Sequence, residues 1–362
     1  MKQETHAEPA TDLFLSITPE KVLAAVEAGG LRCNPVCYPL NSFENRVYEV
    51  ELEDRTRVVA KFYRPGRWTR DQILEEHRFL DDLAAAELPV CTMREFPGGG
   101  TLREIENIWY ALSDRRGGRA PDELDDTTVR RLGMLVGRMH GVGAERPAQH
   151  RLVLNADFFI RENVDWLAQH GVLPSHVRDR YFDAALTIAD IVDEMMDGVP
   201  VHRIHGDLHL GNILFRDGLL RVLDFDDMMV GPAVQDLWLA VSGRDAWALR
   251  QRDLFLEGYE QFRAFDRSTL RLIEPLRGLR MIHYAAWIAR RWHDPAFPAA
   301  WPQFGTPEHW QQETDDLVDQ LAVIRGELKP EEGGLTPEEE QKREEEASVL
   351  TNKDFFWDWE GS

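Results

Sequence analysis

The stretch RIHGDLHLGNILFRDGLLRVLDFDD, from Arg203 to Asp227, constrains this chain more than any other. It sets five aspartates, two histidines and an asparagine among apolar runs that read as buried strand. Like charges in such a place cost free energy unless they are paired, hydrogen-bonded or gathered around a cation. Asp207 and Asn212 stand five apart on a loop that carries Gly206 and Gly211, and Asp224 follows twelve residues after Asn212. Between them FRDGLL reads as a hairpin turning at Asp217-Gly218. A hairpin brings the chain back to its start, so Asp224 is expected beside Asn212. Two carboxylates and an amide oxygen then converge as a hard, all-oxygen set. Such a set suits Mg2+ held partly by substrate phosphates, with one carboxylate left to accept a proton from an attacking hydroxyl.

The rest of the chain must supply a scaffold for that site. Its 362 residues, 43% of them hydrophobic, suffice for a packed core and for two lobes. The net charge of −22 disfavours non-specific nucleic-acid binding, because backbone phosphates are repelled. Cys33, Cys37 and Cys91 fit neither a disulfide framework nor zinc spacing and are expected as free thiols. The first fourteen residues lack an apolar targeting core, and no window reaches the ~18 apolar residues of a membrane span. The expectation is a soluble, cytoplasmic monomer with neither a membrane nor a nucleic acid as partner.

Three regions follow from the patterning. Residues 1–113 read as a small strand-rich lobe. RVYEVELE (46–53) and RVVAKFYR (57–64) are strands, residues 69–87 a helix capped by Thr69, and residues 101–114 a strand pair. Residues 114–329 read as a larger helical lobe, with helices near 127–143, 155–170 and 175–197. Short strands at 213–215 and 220–224 interrupt them, and helices resume from Ala233 to about Arg325. Residues 330–362 form an acidic tail of eleven acidic and three basic side chains. The tail is expected to be disordered, and its FFWDWE end reads as an apolar terminus or a docking peptide. The fold class is therefore α+β and bilobal.

HGDLHLGN followed by LDFDD resembles the catalytic and metal-binding loops of the protein-kinase superfamily, in the H-G-D-x-H-x-x-N form of its aminoglycoside-phosphotransferase-like branch. The resemblance implies ATP as phosphate donor and Mg2+ as cofactor. It implies Asp207 as catalytic base and Asn212 and Asp224 as metal ligands, with His205 and His209 supporting the loop. Lys61 in VVAKFY stands where such kinases carry their phosphate-binding lysine, and Glu76 on the next helix is its expected partner, in preference to the adjacent Glu75. No glycine-rich loop precedes the first of these strands. Asn41, Ser42 and Asn45 are expected to offer donors to phosphate instead. Backbone groups near Ala111 and Leu112, where YALSD is expected to cross between lobes, are candidates to read adenine. Asp236 in GPAVQDLW reads as a brace for the catalytic-loop backbone. Asp226 replaces the glycine of D-F-G, and its role is open between metal, a cationic substrate and solvent.

LNSFENRVYEVE, VVAKFYRPGRWTRDQILEEHRFLDDL, HGDLHLGNILFRDG, GPAVQDLWLAVSG and EPLRGLRMIHYAAWIARRWHDPAFP are together similar to the bacterial stress response kinase A family. These blocks spread from about residue 40 to about 300. They imply a serine/threonine protein kinase of bacterial stress response, acting on protein substrates and on itself, with Ser42 within reach of autophosphorylation. The residues themselves point a second way. Six residues separate Asp224 from Gly231-Pro232 and no A-P-E follows, so a peptide-cradling activation loop has no room. That favours a small hydroxylated acceptor. A nucleotide-binding pseudokinase is the third reading, weakened by the presence of Lys61, Asp207, Asn212 and Asp224.

Overall fold

The computed structural model describes residues 14–40, 42–121, 124–216 and 218–329. Asn41, Asp217 and the acidic tail lie outside them. Five strands form one antiparallel sheet in the order β1-β2-β3-β5-β4: β1 (Cys33–Leu40), β2 (Arg46–Leu52), β3 (Arg57–Phe62), β4 (Arg103–Ile105) and β5 (Ile108–Asp114). Pro35 and Pro39 lack a ladder donor, which suits β1 to the sheet edge. Helix α1 (Pro19–Ala28) starts on a Thr18 cap and buries Val22, Ala25 and Val26 against Val50, Leu52 and Val58. Helix α2 (Arg70–Ala85) follows β3 and opens with a capping box between Thr69 and Gln72. Besides its apolar stripe, α2 buries Glu75, Glu76 and His77.

The second, larger core is helical. It is built on α3 (Asp126–Glu145), α4 (Glu162–Gln169), α5 (Ser175–Met196), α6 (Val234–Ala240), α7 (Ala246–Tyr259), α8 (Ile273–Arg290), α9 (Ala296–Ala300) and α10 (Pro307–Ile324). The stripe Val129, Leu132, Leu135, Val136 and Met139 of α3 is buried in it. Two small ladders interrupt the helices. β6 (His202–Ile204) pairs with β9 (Met229–Gly231), and β7 (Ile213–Arg216) with β8 (Leu219–Val222). The architecture is α+β and bilobal. Helix α1 and strands β1, β6 and β9 are absent from the sequence reading. Three-residue strands carry too little periodicity to register, and the prolines of β1 speak against a strand.

Helices α3 and α7 approach backbone to backbone through two glycines. A Cβ on Gly133 would stand 1.9 Å from the Phe255 carbonyl oxygen, and one on Gly258 2.0 Å from that of Arg130. Gly133→Ala must therefore push the helices apart and should cost about 3 kcal/mol or more, read as a lowered Tm.

The loop between β1 and β2 is braced on the second lobe. Glu44 accepts from Trp287 Nε1 (2.6 Å) and Arg291 (2.9 Å), and Phe43 packs on Trp301, 4.9 Å between ring centroids. Asp294 accepts from Arg46 and Arg64, each at 3.0 Å.

Candidate active site

Strand β3 and helix α2 create the first half of the site. β3 delivers Lys61 at its buried end, and α2 presents Glu76 to it: Lys61 Nζ donates to Glu76 Oε1 at 3.2 Å. The neighbouring Glu75 is turned away and accepts three backbone N–H bonds from Gln149, His150 and Arg151, each at 2.7 Å. Glu76 is held from its other side by Arg151 at 3.0 Å. Burial pushes the Glu76 carboxyl above its ordinary range even so. Burial alone would also lower Lys61, but Asp226 and Glu76 outweigh it and keep the ammonium charged well above neutrality.

Behind this pair lies a neutral, hydrogen-bonded histidine. His77 is 2% exposed, with Nε2 2.9 Å from the Tyr63 hydroxyl and Nδ1 2.7 Å from that of Thr101. Burial, and then the charges of Lys61 and Arg151, push it down to about 3. The unfolded chain binds this proton near pH 6.5. The contribution to stability is therefore complete above that pH and is lost as pH falls toward 3, about 2 kcal/mol of it by pH 5. His77→Gln should flatten the fall of Tm between pH 7 and 5.

The second half is the loop between β6 and β7. His205 sets its shape: Nε2 donates to the Leu223 carbonyl (2.7 Å) and Nδ1 accepts from the Asp207 N–H (3.2 Å). Asp236, at the start of α6, accepts from the N–H groups of His205 (2.9 Å) and Gly206 (2.8 Å), and His140 Nε2 lies 3.0 Å from it. A Cβ at Gly206, whose φ is +87°, would stand 2.3 Å from the Asp227 carbonyl oxygen. Glycine is therefore what lets this loop touch the 224–227 turn. Asn212 donates its side-chain N–H to the Asp207 carbonyl (2.9 Å), which leaves its amide oxygen for another partner. The Leu223 N–H donates to the Asn212 carbonyl at 2.9 Å, so the β7–β8 hairpin does return Asp224 to the loop. Asp224 takes a left-handed backbone (φ 52°, ψ 69°), which aspartate tolerates better than most residues. Its side chain is 53% exposed, and one oxygen lies 3.4 Å from Lys61.

Asp207 carries the strongest pairing on the loop. Arg280 of α8 donates to its Oδ1 at 2.8 Å, and His209 Nε2 lies 3.4 Å from Oδ2. Burial would raise this carboxyl, but Arg280 and His209 outweigh it and hold it well below the carboxylate range.

Asp226 is neither solvated nor open to a substrate. It is 2% exposed, with Oδ1 2.9 Å from Lys61 Nζ and Oδ2 accepting from Arg67 at 2.6 Å. Arg67 also pairs with Asp227, and Arg151 donates to the Asp226 carbonyl at 2.7 Å. Burial opposes ionisation of Asp226, but Lys61, Arg67 and Arg151 together pull its pKa below the ordinary value. Lys61 thus stands among Glu76, Asp224 and Asp226.

One placement, the crossing between lobes, differs from the sequence reading, and two further residues are bonded within their own loop. Asn45 is buried, and its side-chain oxygen accepts the Arg64 N–H at 3.2 Å, while the Asn45 N–H donates to Ser42 Oγ at 3.3 Å. These two residues brace their own loop, and the side-chain oxygen of Asn45 is committed inside it. Ala111 and Leu112 lie within β5, paired with Lys61 and Ala60, and the Leu112 carbonyl accepts from the Arg94 N–H at 2.6 Å. The crossing starts only after Asp114, where the strand ends. Arg67, Arg151 and Arg280 were outside the sequence reading altogether. Each comes from a segment remote from its partner, and no local pattern marks an arginine that will find a carboxylate 73 to 159 residues away.

The donor set bears on metal. Among the described residues no group of three or more His, Cys, Asp or Glu is arranged to hold an ion. Two oxygen donors sit on chain segments that the hairpin joins, the amide oxygen of Asn212, whose side-chain N–H is already bonded to Asp207, and the exposed Asp224 carboxylate. That is the sparse protein share expected where Mg2+ keeps waters and substrate phosphates as its other ligands. No helix among the described residues is long and apolar enough to cross a membrane.

Comparison with known proteins places this geometry. Residues 37–273 match the model of a phosphotransferase enzyme family. Stress response kinase A of Escherichia coli strain K12 is 38% identical over 313 residues, covering 86% of this chain and 95% of that protein. Serine/threonine protein kinase RdoA of Salmonella typhimurium strain LT2 is 37% identical over 312 residues, 86% and 94% of the two chains. Among solved structures, amicoumacin kinase hAmiN in complex with AMP-PNP, Ca2+ and Ami superposes with a TM-score of 0.64 at 18% identity, over 83% of this chain and 98% of that one. The microcompartment-associated aminopropanol kinase gives 0.65 at 18%, over 86% and 99%. At such identity the two structures speak for the fold.

Proposed function

The chain belongs to the phosphotransferase enzyme family, among the stress response kinase A proteins, and from that premise we propose that it is an ATP- and Mg2+-dependent serine/threonine protein kinase of bacterial stress response. In this reading it acts in the cytoplasm as a monomer, with its own chain among the acceptors. One observation carries the chemistry: Lys61, paired with Glu76, meets Asp224 at 3.4 Å, while Asp207 and Asn212 sit on the loop to which the hairpin returns Asp224.

Each residue then has a physical task. Lys61 offers its ammonium to the ATP phosphates and exchanges carboxylate partners for phosphate oxygens. Glu76, locked by Arg151, keeps the lysine extended. Asn212 Oδ1 and Asp224 would hold Mg2+, which when bound neutralises charge on the phosphates. Asp207 orients the acceptor hydroxyl and takes its proton as the oxygen attacks the γ-phosphorus in line, while the bond from that phosphorus to the β–γ bridging oxygen breaks and ADP leaves. Because Arg280 weakens Asp207 as a base, catalysis rests mainly on positioning and charge, as suits a loose phosphoryl-transfer transition state.

A second reading has its own support. Residues 225–231 fold at once into a short 3-10 turn and β9, so no extended peptide-cradling loop follows Asp224. The acceptor would then be a small alcohol, as the name of the aminopropanol kinase states for that protein. Incubation with Mg2+ and γ-labelled ATP separates the readings, using the protein alone, with a generic protein substrate, and with a panel of amino alcohols and sugars. Label in protein that disappears in Asp207→Asn supports the kinase reading. Label in small molecules alone overturns it in favour of the second.

A further inference from the structure

Three carboxylates at the acceptor side of the site, Asp207, Asp226 and Asp227, are each matched by a cation of the protein itself. Asp207 is paired with Arg280 at 2.8 Å, Asp227 with Arg67, and Asp226 with Lys61 and Arg67. Beside Asp227 opens a cavity of about 280 Å3, whose wall includes Arg67, Arg290 and Arg291 against the carboxylates of Asp227 and Glu162. Arg290 is bonded to Asn163 (3.0 Å) and Arg291 to Glu44 (2.9 Å). A cationic acceptor would have to displace an arginine from a carboxylate, and it would meet the arginine's charge in doing so. An acceptor with negative charge next to its hydroxyl meets guanidinium groups instead.

We propose that Arg280 is a specificity-determining residue: by occupying Asp207 it rejects acceptors with a positive charge near the reacting hydroxyl and favours those with a negative one. The proposal rests on the phosphotransferase reading and deepens it by naming the acceptor's charge class. The net charge of −22 draws cations from a distance. That field is screened beyond about 8 Å at physiological salt, whereas Arg280 acts at contact.

Two matched series test this at physiological salt with Mg2+ and ATP. One holds serine peptides flanked by aspartate, alanine or lysine. The other holds glycerate, glycerol and ethanolamine. In whichever series accepts phosphate, the anionic member should exceed the cationic one about tenfold or more in kcat/KM, a difference of 1.4 kcal/mol. Arg280→Gln should bring that ratio toward one, and Arg280→Lys should keep most of it. A merely structural role would lower kcat/KM for both members alike and leave the ratio unmoved, which overturns the proposal. So does a wild-type preference for the lysine peptide or for ethanolamine, although phosphate transfer itself would stand. Transfer to no acceptor in either series overturns this proposal, and absence of label from the chain itself as well overturns the phosphotransferase reading.

Discussion

Asp207→Asn should lower phosphate transfer by about 10^3-fold while leaving ATP affinity nearly unchanged. The substitution keeps the volume and planarity of the side chain and removes its charge and basicity. Asp207 touches Arg280 and His209, whereas Lys61 is bound by Glu76, Asp224 and Asp226, so the nucleotide half of the site keeps its contacts. The loop should persist as well, because its shape is set by His205 and Asp236. With the Asp207 carboxyl held well below its ordinary range by Arg280 and His209 against burial, it stays ionised down through pH 5. The wild-type rate should therefore show no loss from Asp207 protonation between pH 7 and 5. Single-turnover transfer together with nucleotide titration checks the pair. Transfer at an undiminished rate would remove Asp207 from the mechanism.

Asp226→Ala should have the largest effect on stability, about 3 to 5 kcal/mol. It leaves two buried cations short of a partner: Lys61, with an ammonium 2.9 Å from one carboxylate oxygen, and Arg67, 2.6 Å from the other. Trp68 Nε1 loses its acceptor at 3.4 Å as well. Asp226→Asn preserves the shape and one acceptor and should cost less than half as much. Thermal unfolding of the two variants beside the wild type gives the comparison. Equal and small losses in both would mean that the charge of Asp226 is not what holds this junction. If Asp226 serves to position Lys61, the asparagine variant should also raise the KM for ATP more than it lowers kcat.

The legible part of the site was the part compressed into one stretch of chain. Asp207, Asn212 and Asp224 are joined by a loop and a hairpin, so their convergence follows from chain connectivity alone. Lys61 and Glu76 needed one further step, the resemblance to kinases that pair a strand lysine with a glutamate on the following helix. The choice between Glu75 and Glu76 turned on their place relative to Leu80 and Leu83. The crossing expected at Ala111 and Leu112 went differently, since both lie within β5. A polar or backbone group can be committed inside the fold, and sequence does not say which groups are already bonded. Asn45 serves Arg64, and Leu112 serves Arg94.

Asp226 shows where the boundary lies. Three aspartates within four residues, Asp224, Asp226 and Asp227, leave two outcomes at this turn, solvent or gathered positive charge, since unpaired carboxylates cannot stay charged in a buried place. That much, with the α+β class and the resemblance to phosphotransferases, was legible in the amino-acid order, because it depends on residues near one another along the chain. The source of the charge was decided only by tertiary structure. Besides Lys61, Arg67 comes from the turn after β3 and Arg151 from the segment after α3, while Arg280 of α8 meets Asp207 on the neighbouring loop. They meet the aspartates because two hydrophobic cores fix the lobes, and guanidinium groups on long side chains reach whichever carboxylates those cores leave beside them.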